Sequence, residues 1–204
     1  MERYDLVIIG AGPSGYAAAM RAVDLKKKTL LIEKNVLGGA GITNGALSSK
    51  TLWELSRDML AFRKNLDRYH LEPPKAVWEE IQLEVQNAVK ERVHLLSSHL
   101  TELQNNSKYS PYINFIEGEA CIVSDHIVEI ETQQERLAVE TDYIIIATGS
   151  RPRYLPNIPV DEEHILTSDG IELMDGFPKS MVIVGAGVIG CEYATIFSGF
   201  GQTK

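Results

Sequence analysis

The chain has 204 residues, with 20 basic and 28 acidic side chains, and its formal net charge is −8. This acidic balance argues against a nucleic-acid-binding surface, and no run of 18 apolar residues is present to span a membrane. Residues 1–5 carry no secretory signal. We therefore expect a soluble, cytoplasmic protein that binds neither nucleic acid nor membrane.

Residues 4–33 predict a βαβ unit. A first apolar strand ends at Ile9, a helix follows over about 13–26, and a second apolar strand runs over 29–33. Strands that are apolar throughout are typical of a parallel sheet covered on both faces. The first strand leads into a dinucleotide-binding fingerprint, Gly10-Ala11-Gly12-Pro13-Ser14-Gly15. Its glycines allow a tight turn and bring a pyrophosphate onto the amides of the helix N-terminus.

An acidic residue, Glu33, closes the second predicted strand 23 positions after Gly10. A carboxylate at this place can accept hydrogen bonds from both hydroxyls of an adenosine ribose. The alternative is a strand-end carboxylate that faces solvent. The fingerprint upstream favours the ribose-binding interpretation.

The middle of the chain predicts helices. A glycine-rich loop over 37–45 precedes a polar helical stretch over 48–68, and the pair Pro73-Pro74 then interrupts the chain. Apolar residues at helical spacing predict a long amphipathic helix over about 76–103. We expect this helix to pack on its own domain, and the alternative is a partner-binding helix.

Short strands are predicted after this helix. Three segments of alternating polarity predict a small β-meander, at 113–116, 127–131 and 136–140. Residues 143–147 predict another buried strand, which ends at Thr148-Gly149-Ser150. After a crossover rich in Pro and Asp, the apolar run 181–184 leads into a second fingerprint, Gly185-Ala186-Gly187-Val188-Ile189-Gly190.

These segments predict an α/β fold with three parts. Residues 1–150 form a Rossmann-like, parallel-sheet domain with the small β-meander and the long helix; residues 151–180 are a linker; and residues 181–204 are the truncated start of a second Rossmann-like domain. A lone βα unit cannot bury its apolar strand well, so we expect either a fragment or a reduced remnant. The five histidines and the two cysteines, Cys121 and Cys191, lack metal-ligand spacing, and we expect no metal site.

Several motifs occur together in a fixed order. They are Tyr-Asp-Leu-Val-Ile-Ile-Gly-Ala-Gly-Pro-Ser-Gly at 4–15, Leu-Leu-Ile-Glu-Lys at 30–34, Gly38-Gly39, Ser49-Lys50, Ala-Thr-Gly-Ser-Arg-Pro at 147–152, and the second fingerprint. Over nearly the whole chain, this pattern resembles the FAD-dependent pyridine nucleotide–disulfide oxidoreductases. The resemblance implies FAD on the first fingerprint, a nicotinamide dinucleotide, NAD(P)H, on the second, and a homodimer in the full-length form.

The resemblance also implies roles for individual residues. Glu33 would hold the FAD ribose, and Ala120 would contact adenine through its backbone. Lys50 would lie near the reactive edge of the flavin and pair with Glu192, and these two are the candidate catalytic residues. The candidate cofactor-binding residues are Gly10, Gly12, Pro13, Ser14, Gly15, Glu33, Lys34, Gly38, Gly39, Ala40, Gly41, Lys50, Ala120, Thr148, Gly149, Ser150, Gly185, Gly187 and Gly190.

The chain departs from the family at the redox-active disulfide. The family segment is Gly-Gly-x-Cys-x-x-x-x-Cys-x-x-Ser-Lys, and residues 38–50 match it without a gap but place Gly41 and Ala46 at the two cysteine positions. Neither side chain can carry electrons to a disulfide, which excludes dithiol chemistry at this site. Residues 185–197 are similar to the soluble pyridine nucleotide transhydrogenases of the family, which need no thiol relay.

The leading hypothesis is therefore the N-terminal, FAD-binding part of a flavoprotein oxidoreductase that exchanges hydride between NAD(P)H and FAD without a redox disulfide. One alternative is a non-catalytic FAD-binding module or remnant. Another is a protein related to dihydrolipoamide dehydrogenase with a degenerate active site. A dehydrogenase that binds a single NAD is disfavoured, because it would leave the second fingerprint unexplained.

Overall fold

The computed structural model describes residues 1–72 and 74–204, and these pack as two compact units. Unit 1 comprises residues 1–43 and 91–150, and unit 2 comprises residues 44–90 and 151–204. The division into parts at residues 150 and 180 remains a prediction. Pro73 of the expected Pro73-Pro74 interruption lies outside the described residues.

Unit 1 is built on one sheet, in which the described residues form six strands in the order β3-β2-β1-β6-β5-β4. The strands are β1 (Glu2–Ile9), β2 (Thr29–Glu33), β3 (Ile113–Glu117), β4 (Glu119–Ser124), β5 (Ile127–Glu131) and β6 (Arg136–Ile146). β3, β2, β1 and the later part of β6 run parallel, whereas β4, β5 and the beginning of β6 are antiparallel. The predicted α/β, Rossmann-like class is confirmed.

The helices lie close to their expected positions. They are α1 (Pro13–Asp24), α2 (Ala40–Thr43), α3 (Ala46–Lys64), α4 (Leu66–Tyr69), α5 (Trp78–Asn105) and α6 (Val188–Phe200), with short 3-10 turns at Ser110–Tyr112 and Ser168–Leu173. The long helix expected over about 76–103 is α5. No helix of the described residues is both long enough and apolar enough to cross a bilayer.

The two faces of the sheet bury alternate residues of each strand. On one face, Ile8 and Leu31 pack with the small, fully buried Ala19 of α1 and with Leu100 of α5. On the other face, the intervening residues of β1 and β2 pack with residues of the antiparallel strand β5. This cluster includes Val7, Leu30, Ile32, Val128 and Ile130. Successive strand residues point to opposite faces. This is why residues 6–9 of β1 and residues 30–32 of β2 are apolar at successive positions.

The β-meander differs from the predicted one. Ile113–Glu117 pairs in parallel with β2, and the unpredicted strand β4 takes its place beside β5. The predicted segments 136–140 and 143–147 are largely one strand, β6. Alternating polarity identifies a strand but not its partner. β4 is exposed along most of its length, and its polar and apolar residues do not alternate.

Residues 181–184 are not a strand, which corrects the predicted first strand of the second Rossmann-like domain. Val182 is 89% exposed and Val184 is also exposed. A strand is stabilised by the hydrogen bonds of a neighbour. In this segment, backbone hydrogen bonds are formed at the Met181 end. The Met181 amide donates to the Lys204 carbonyl, and the Lys204 amide donates to the Lys179 carbonyl. The helix that follows, α6, forms as expected.

Unit 2 has a core of its own made by α3, the beginning of α5 and α6. Trp78 is buried and stacks on Phe197 with a ring-centroid distance of 6.1 Å. The edge of Trp78 contacts Phe177 at 4.9 Å, and its indole Nε1 donates to the Met174 carbonyl at 2.7 Å. The aromatic cluster and the satisfied indole N–H hold α5 and α6 together within this unit.

Candidate dinucleotide-binding sites

The three glycines of the first fingerprint serve two different purposes. At Gly10, which has a φ of +100°, an added Cβ would lie 2.3 Å from the Ala147 carbonyl oxygen. At Gly15, an added Cβ would lie 1.8 Å from the Gly10 oxygen. At Gly12, an added Cβ would meet no atom within 4 Å. Gly10 and Gly15 therefore permit close packing, whereas Gly12 leaves space in front of the helix.

Helix α1 presents its N-terminal amides at this space. Gly12 is the N-cap and Pro13 begins the helix, and no side chain caps it. The first N–H groups of a helix have no partner within the helix, and together with the helix dipole they favour an anion. Ser14 and Gly15 follow in the first turn. The geometry fits a diphosphate, because the bare Cα of Gly12 allows its close approach.

Glu33 lies beside the same turn and is 8% exposed. Its Oε2 accepts a hydrogen bond from the Ala11 amide at 2.7 Å, and its Oε1 accepts from the Asn35 amide at 2.9 Å. These bonds orient the carboxylate at the carboxyl end of β2. Each oxygen keeps a second lone pair that can accept from a ribose hydroxyl.

The glycine-rich loop packs directly on the fingerprint. The Gly38 amide donates to the Ala11 carbonyl at 2.9 Å. A Cβ at Gly39, which has a φ of +54°, would lie 3.1 Å from the Cα of Gly12, and a Cβ at Gly41 would lie 2.5 Å from Cγ of Pro13. Ala40 begins α2. Four candidate residues in succession, 38–41, are thus brought to the rim of the turn.

The remaining candidates of unit 1 divide into two groups. Thr148, Gly149 and Ser150 follow β6, whose end is tied to β1 where the Ala147 amide donates to Ile9. They therefore lie at the same sheet edge as the fingerprint. Lys34 instead forms an exposed ion pair with Glu119 of β4 at 3.0 Å. Ala120 lies in β4 opposite Ile130.

In unit 2, Lys50 and Glu192 form an ion pair. Lys50 lies in the first turns of α3 and Glu192 in the first turns of α6, so the packing of these two helices brings the charges together. The Lys50 side chain is 62% exposed and that of Glu192 is 15% exposed. Ser49, which is not among the predicted site residues, donates from Oγ to Glu192 Oε1 at 3.2 Å. Its position next to Lys50 in the sequence could have marked Ser49 as a candidate site residue.

The second fingerprint has the same geometry as the first at two of its glycines. Gly187 is the N-cap of α6, and a Cβ on it would meet nothing within 4 Å. A Cβ on Gly190 would lie 2.3 Å from the Gly185 oxygen. Gly185, with a φ of +116°, makes the turn. A cleft of about 1300 Å³ within unit 2 is lined by all three glycines and by Tyr193.

Two further ionisable groups of unit 2 were not foreseen. Burial raises the pKa of Tyr193 to about 12, and the nearby carboxylates, that of Glu172 first, add to the shift. Burial also raises the pKa of Glu172, although a hydrogen bond from Ser48 opposes the shift. Among the described residues, Glu172 Oε1 is buried without a hydrogen-bond partner. No local motif marks either residue.

Comparisons with known proteins agree on one family. Residues 4–203 match the family described as pyridine nucleotide-disulphide oxidoreductase. The chain is 36% identical over 201 residues to a dihydrolipoyl dehydrogenase from Bacillus subtilis, covering 97% of this chain and 42% of that protein. It is 33% identical over 204 residues to a soluble pyridine nucleotide transhydrogenase from Mycobacterium bovis, covering 98% of this chain and 42% of that protein.

Solved structures have the same fold. LpdA from Mycobacterium tuberculosis superposes with a TM-score of 0.80 at 25% identity, over 98% of this chain and 43% of that one. The flavoprotein disulfide reductase RclA from Escherichia coli superposes with a TM-score of 0.74 at 24% identity, over 99% of this chain and 41% of that one. The chain thus spans less than half the length of these relatives.

The family recognised from the sequence motifs is confirmed, and its flavoprotein members imply FAD and NAD(P)H as the cofactors. The cytoplasmic location and the homodimer remain predictions. The family match extends from residue 4 to residue 203 and includes both fingerprints and Glu33, the buried acidic residue that ends β2. The chain belongs to the pyridine nucleotide-disulphide oxidoreductase family.

Proposed function

We propose that this chain is the N-terminal, FAD-binding part of a flavoprotein oxidoreductase that exchanges hydride between NAD(P)H and FAD without a redox disulfide. One observation carries the proposal. The open space at Gly12 and the oriented Glu33 carboxylate lie at one sheet edge, while Gly41 and Ala46 occupy the two cysteine positions of the family. The site therefore suits an adenine dinucleotide and has no thiol to pass electrons onward.

The candidate residues of the two units have separate physical roles. The α1 amides and Gly12 bind the diphosphate, and Glu33 binds the ribose. Lys50 contributes a positive charge, and Glu192 restricts its position. FAD, when bound, supplies the two-electron chemistry that exchanges hydride with a nicotinamide. Gly185 and Gly187 provide the corresponding open turn for the nicotinamide dinucleotide.

The absence of cysteines at positions 41 and 46 favours the chemistry of the transhydrogenase over that of dihydrolipoyl dehydrogenase. Dihydrolipoyl dehydrogenase is named for a dithiol substrate, and a transhydrogenase for two nicotinamide nucleotides. A chain with Gly41 and Ala46 at the disulfide positions cannot perform the first kind of chemistry at this site, whereas the second kind needs no thiol there. We therefore propose a transhydrogenase-like reaction for the whole protein, with a nicotinamide dinucleotide as its small-molecule partner.

Substitution of Gly12 tests the FAD site. In Gly12→Val the side chain would enter space that is empty in the fold, so the protein should fold but lose bound flavin. Gly176→Val is the matched control, because a Cβ there also meets nothing within 4 Å. Flavin absorbance and mass spectrometry of the purified variants measure retention. A Gly12→Val protein as yellow as the wild type would contradict the assignment.

The hydride step is tested on the full-length protein. Anaerobic addition of NADH or NADPH should bleach the flavin absorbance of the wild type. Flavin that stays oxidised with both nucleotides would reject the enzyme and favour a non-catalytic FAD-binding module. Bleaching followed by reduction of a second nicotinamide nucleotide would support the transhydrogenase-like reaction.

A further inference from the structure

The ion pair of unit 2 includes a third residue. Ser49 lies in the first turns of α3, one position before Lys50, and is 7% exposed. Its hydroxyl donates to Glu192 Oε1 at 3.2 Å and accepts from Lys50 Nζ at 3.4 Å. Lys50 Nζ also donates to the same Glu192 oxygen. The three side chains therefore form a closed triangle of hydrogen bonds.

The three members differ in how freely they can move. The Lys50 side chain is long and mostly exposed, and holding it in one geometry costs side-chain entropy. The Ser49 hydroxyl is attached one bond from Cβ and is buried on α3. A hydrogen bond from this short side chain to a carboxylate is charge-assisted and therefore stronger than one between neutral groups.

The direction of each bond in the triangle follows from the chemistry of the groups. An ammonium group can only donate, an ionised carboxylate can only accept, and a hydroxyl can do both. The Ser49 proton therefore points to Glu192, and the Ser49 lone pairs accept from Lys50. These bond directions hold Glu192 Oε1 within hydrogen-bond distance of the Lys50 ammonium group.

We propose that Ser49 is a positioning residue, which holds the Glu192 carboxylate against the Lys50 ammonium group. The inference deepens the proposed function, because it rests on the Lys50–Glu192 pair serving the flavin. Ser49 has no proposed contact with the flavin or the nicotinamide. It acts through Glu192.

The test measures how readily Lys50 is acylated in the 204-residue chain, by mass spectrometry after brief labelling with acetic anhydride at constant pH. Ser49→Ala removes the hydroxyl with little change of volume. We expect Lys50 to be acylated about two- to tenfold faster, as the loss of one hydrogen bond implies. Ser49→Thr keeps the hydroxyl and should restore the wild-type rate.

Ser56→Ala is the matched control. Ser56 is buried on the same helix, but its hydroxyl donates to the Trp53 carbonyl of that helix. Its removal should leave Lys50 labelling unchanged. Should Ser49→Ala fail to fold, Ser49→Cys, which keeps the volume but donates weakly, takes its place with the same expectation. Equal Lys50 labelling in wild type and the Ser49 variant would overturn the inference.

The flavin supplies an independent readout in the full-length protein. With FAD content unchanged, Ser49→Ala should slow anaerobic flavin reduction by NAD(P)H, and Ser49→Thr should restore it. Because Lys50 labelling is measured without cofactor, an unbleached flavin in the wild type counts against the proposed function alone. Unchanged labelling counts against the role of Ser49 alone.

Discussion

Two glycines of the first fingerprint differ in what an added side chain would contact. A side chain at Gly15 would collide with backbone, whereas one at Gly12 would enter open space. A side chain at position 15 would therefore disrupt the packing of the folded protein. A side chain at position 12 would instead occupy the space of the ligand. The spacing of the glycines alone does not distinguish these roles.

Restoring the family cysteines is predicted to have unequal effects at the two positions. The Gly41 Cα faces the Pro13 ring, and a Cβ would approach Cγ to 2.5 Å, so Gly41→Cys should displace the start of α1. Ala46 is exposed, and Ala46→Cys should be tolerated. Thermal unfolding and FAD retention check this. We expect a melting temperature lower by several degrees for Gly41→Cys alone, corresponding to about 1–3 kcal/mol of overpacking.

The control for this prediction is Gly41→Ala, which adds the Cβ without a thiol. It should reproduce most of the loss, because the clash begins at Cβ. A Gly41→Cys variant as stable as Ala46→Cys would show that Pro13 moves aside readily and would contradict this prediction.

At the scale of elements, side chains shape the segment that precedes the short 3-10 turn Ser168–Leu173. Asp161 Oδ1 accepts hydrogen bonds from the amides of Glu163, His164 and Ile165 at 2.7–2.9 Å. Glu162 then accepts from the Thr167 amide and hydroxyl. Two adjacent carboxylates thus satisfy backbone donors that no strand or helix satisfies. The amino-acid composition of this region had predicted a crossover but none of these hydrogen bonds.

The Asp161 bonds predict a pH-dependent loop. The amides of Ile165, Glu163 and His164 lower the pKa of Asp161 from 3.8 to about 2, because they stabilise the charged carboxylate. The folded loop therefore binds the proton less tightly than the unfolded chain, and its stabilisation is complete above about pH 4 and lost as the pH falls to about 2. NMR amide shifts of residues 163–165 should report this step.

Asp161→Asn is the control for the loop, since it removes the titrating group and keeps the size. Its 163–165 amides should show no transition between pH 4 and pH 2. A wild-type loop whose amides do not change over this range would mean that Asp161 does not hold them in solution.

At the scale of the whole molecule, the described residues form two compact units, each with its own core. Ile8 is fully buried in unit 1, among residues of the sheet, α1 and α5. Ile196 is fully buried in unit 2, among aromatic residues of α5 and α6. Each unit therefore has the buried apolar surface that a cooperative folding unit requires.

Truncation of each core should affect mainly its own unit. Ile8→Ala and Ile196→Ala should each destabilise by about 2–5 kcal/mol, and the Val variants at the same positions by about 0.5–1.5 kcal/mol. Hydrogen exchange should locate the loss of protection in residues 1–43 and 91–150 for the first, and in residues 44–90 and 151–204 for the second. Equal loss across the chain for either variant would contradict separate units.

Much of the fold was predictable because its signals are local. The apolar runs of β1 and β2, the glycine spacing between them and the helical period of α5 depend on residues within one turn or one strand. The order of the motifs identified the family without a structure. Glu33 was also predictable as a candidate, because its distance from Gly10 places it at the end of the adjacent strand.

The sequence alone thus determined the family, the first fingerprint and the main helices. Only the tertiary structure decided that β3 pairs with β2, that residues 181–184 do not form a strand, and that Pro13 packs on Gly41. It also revealed the contact of Ser49 with Glu192, 143 positions away. These features depend on partners distant along the chain. A strand or a hydroxyl carries no local sign of which distant group will satisfy its hydrogen bonds.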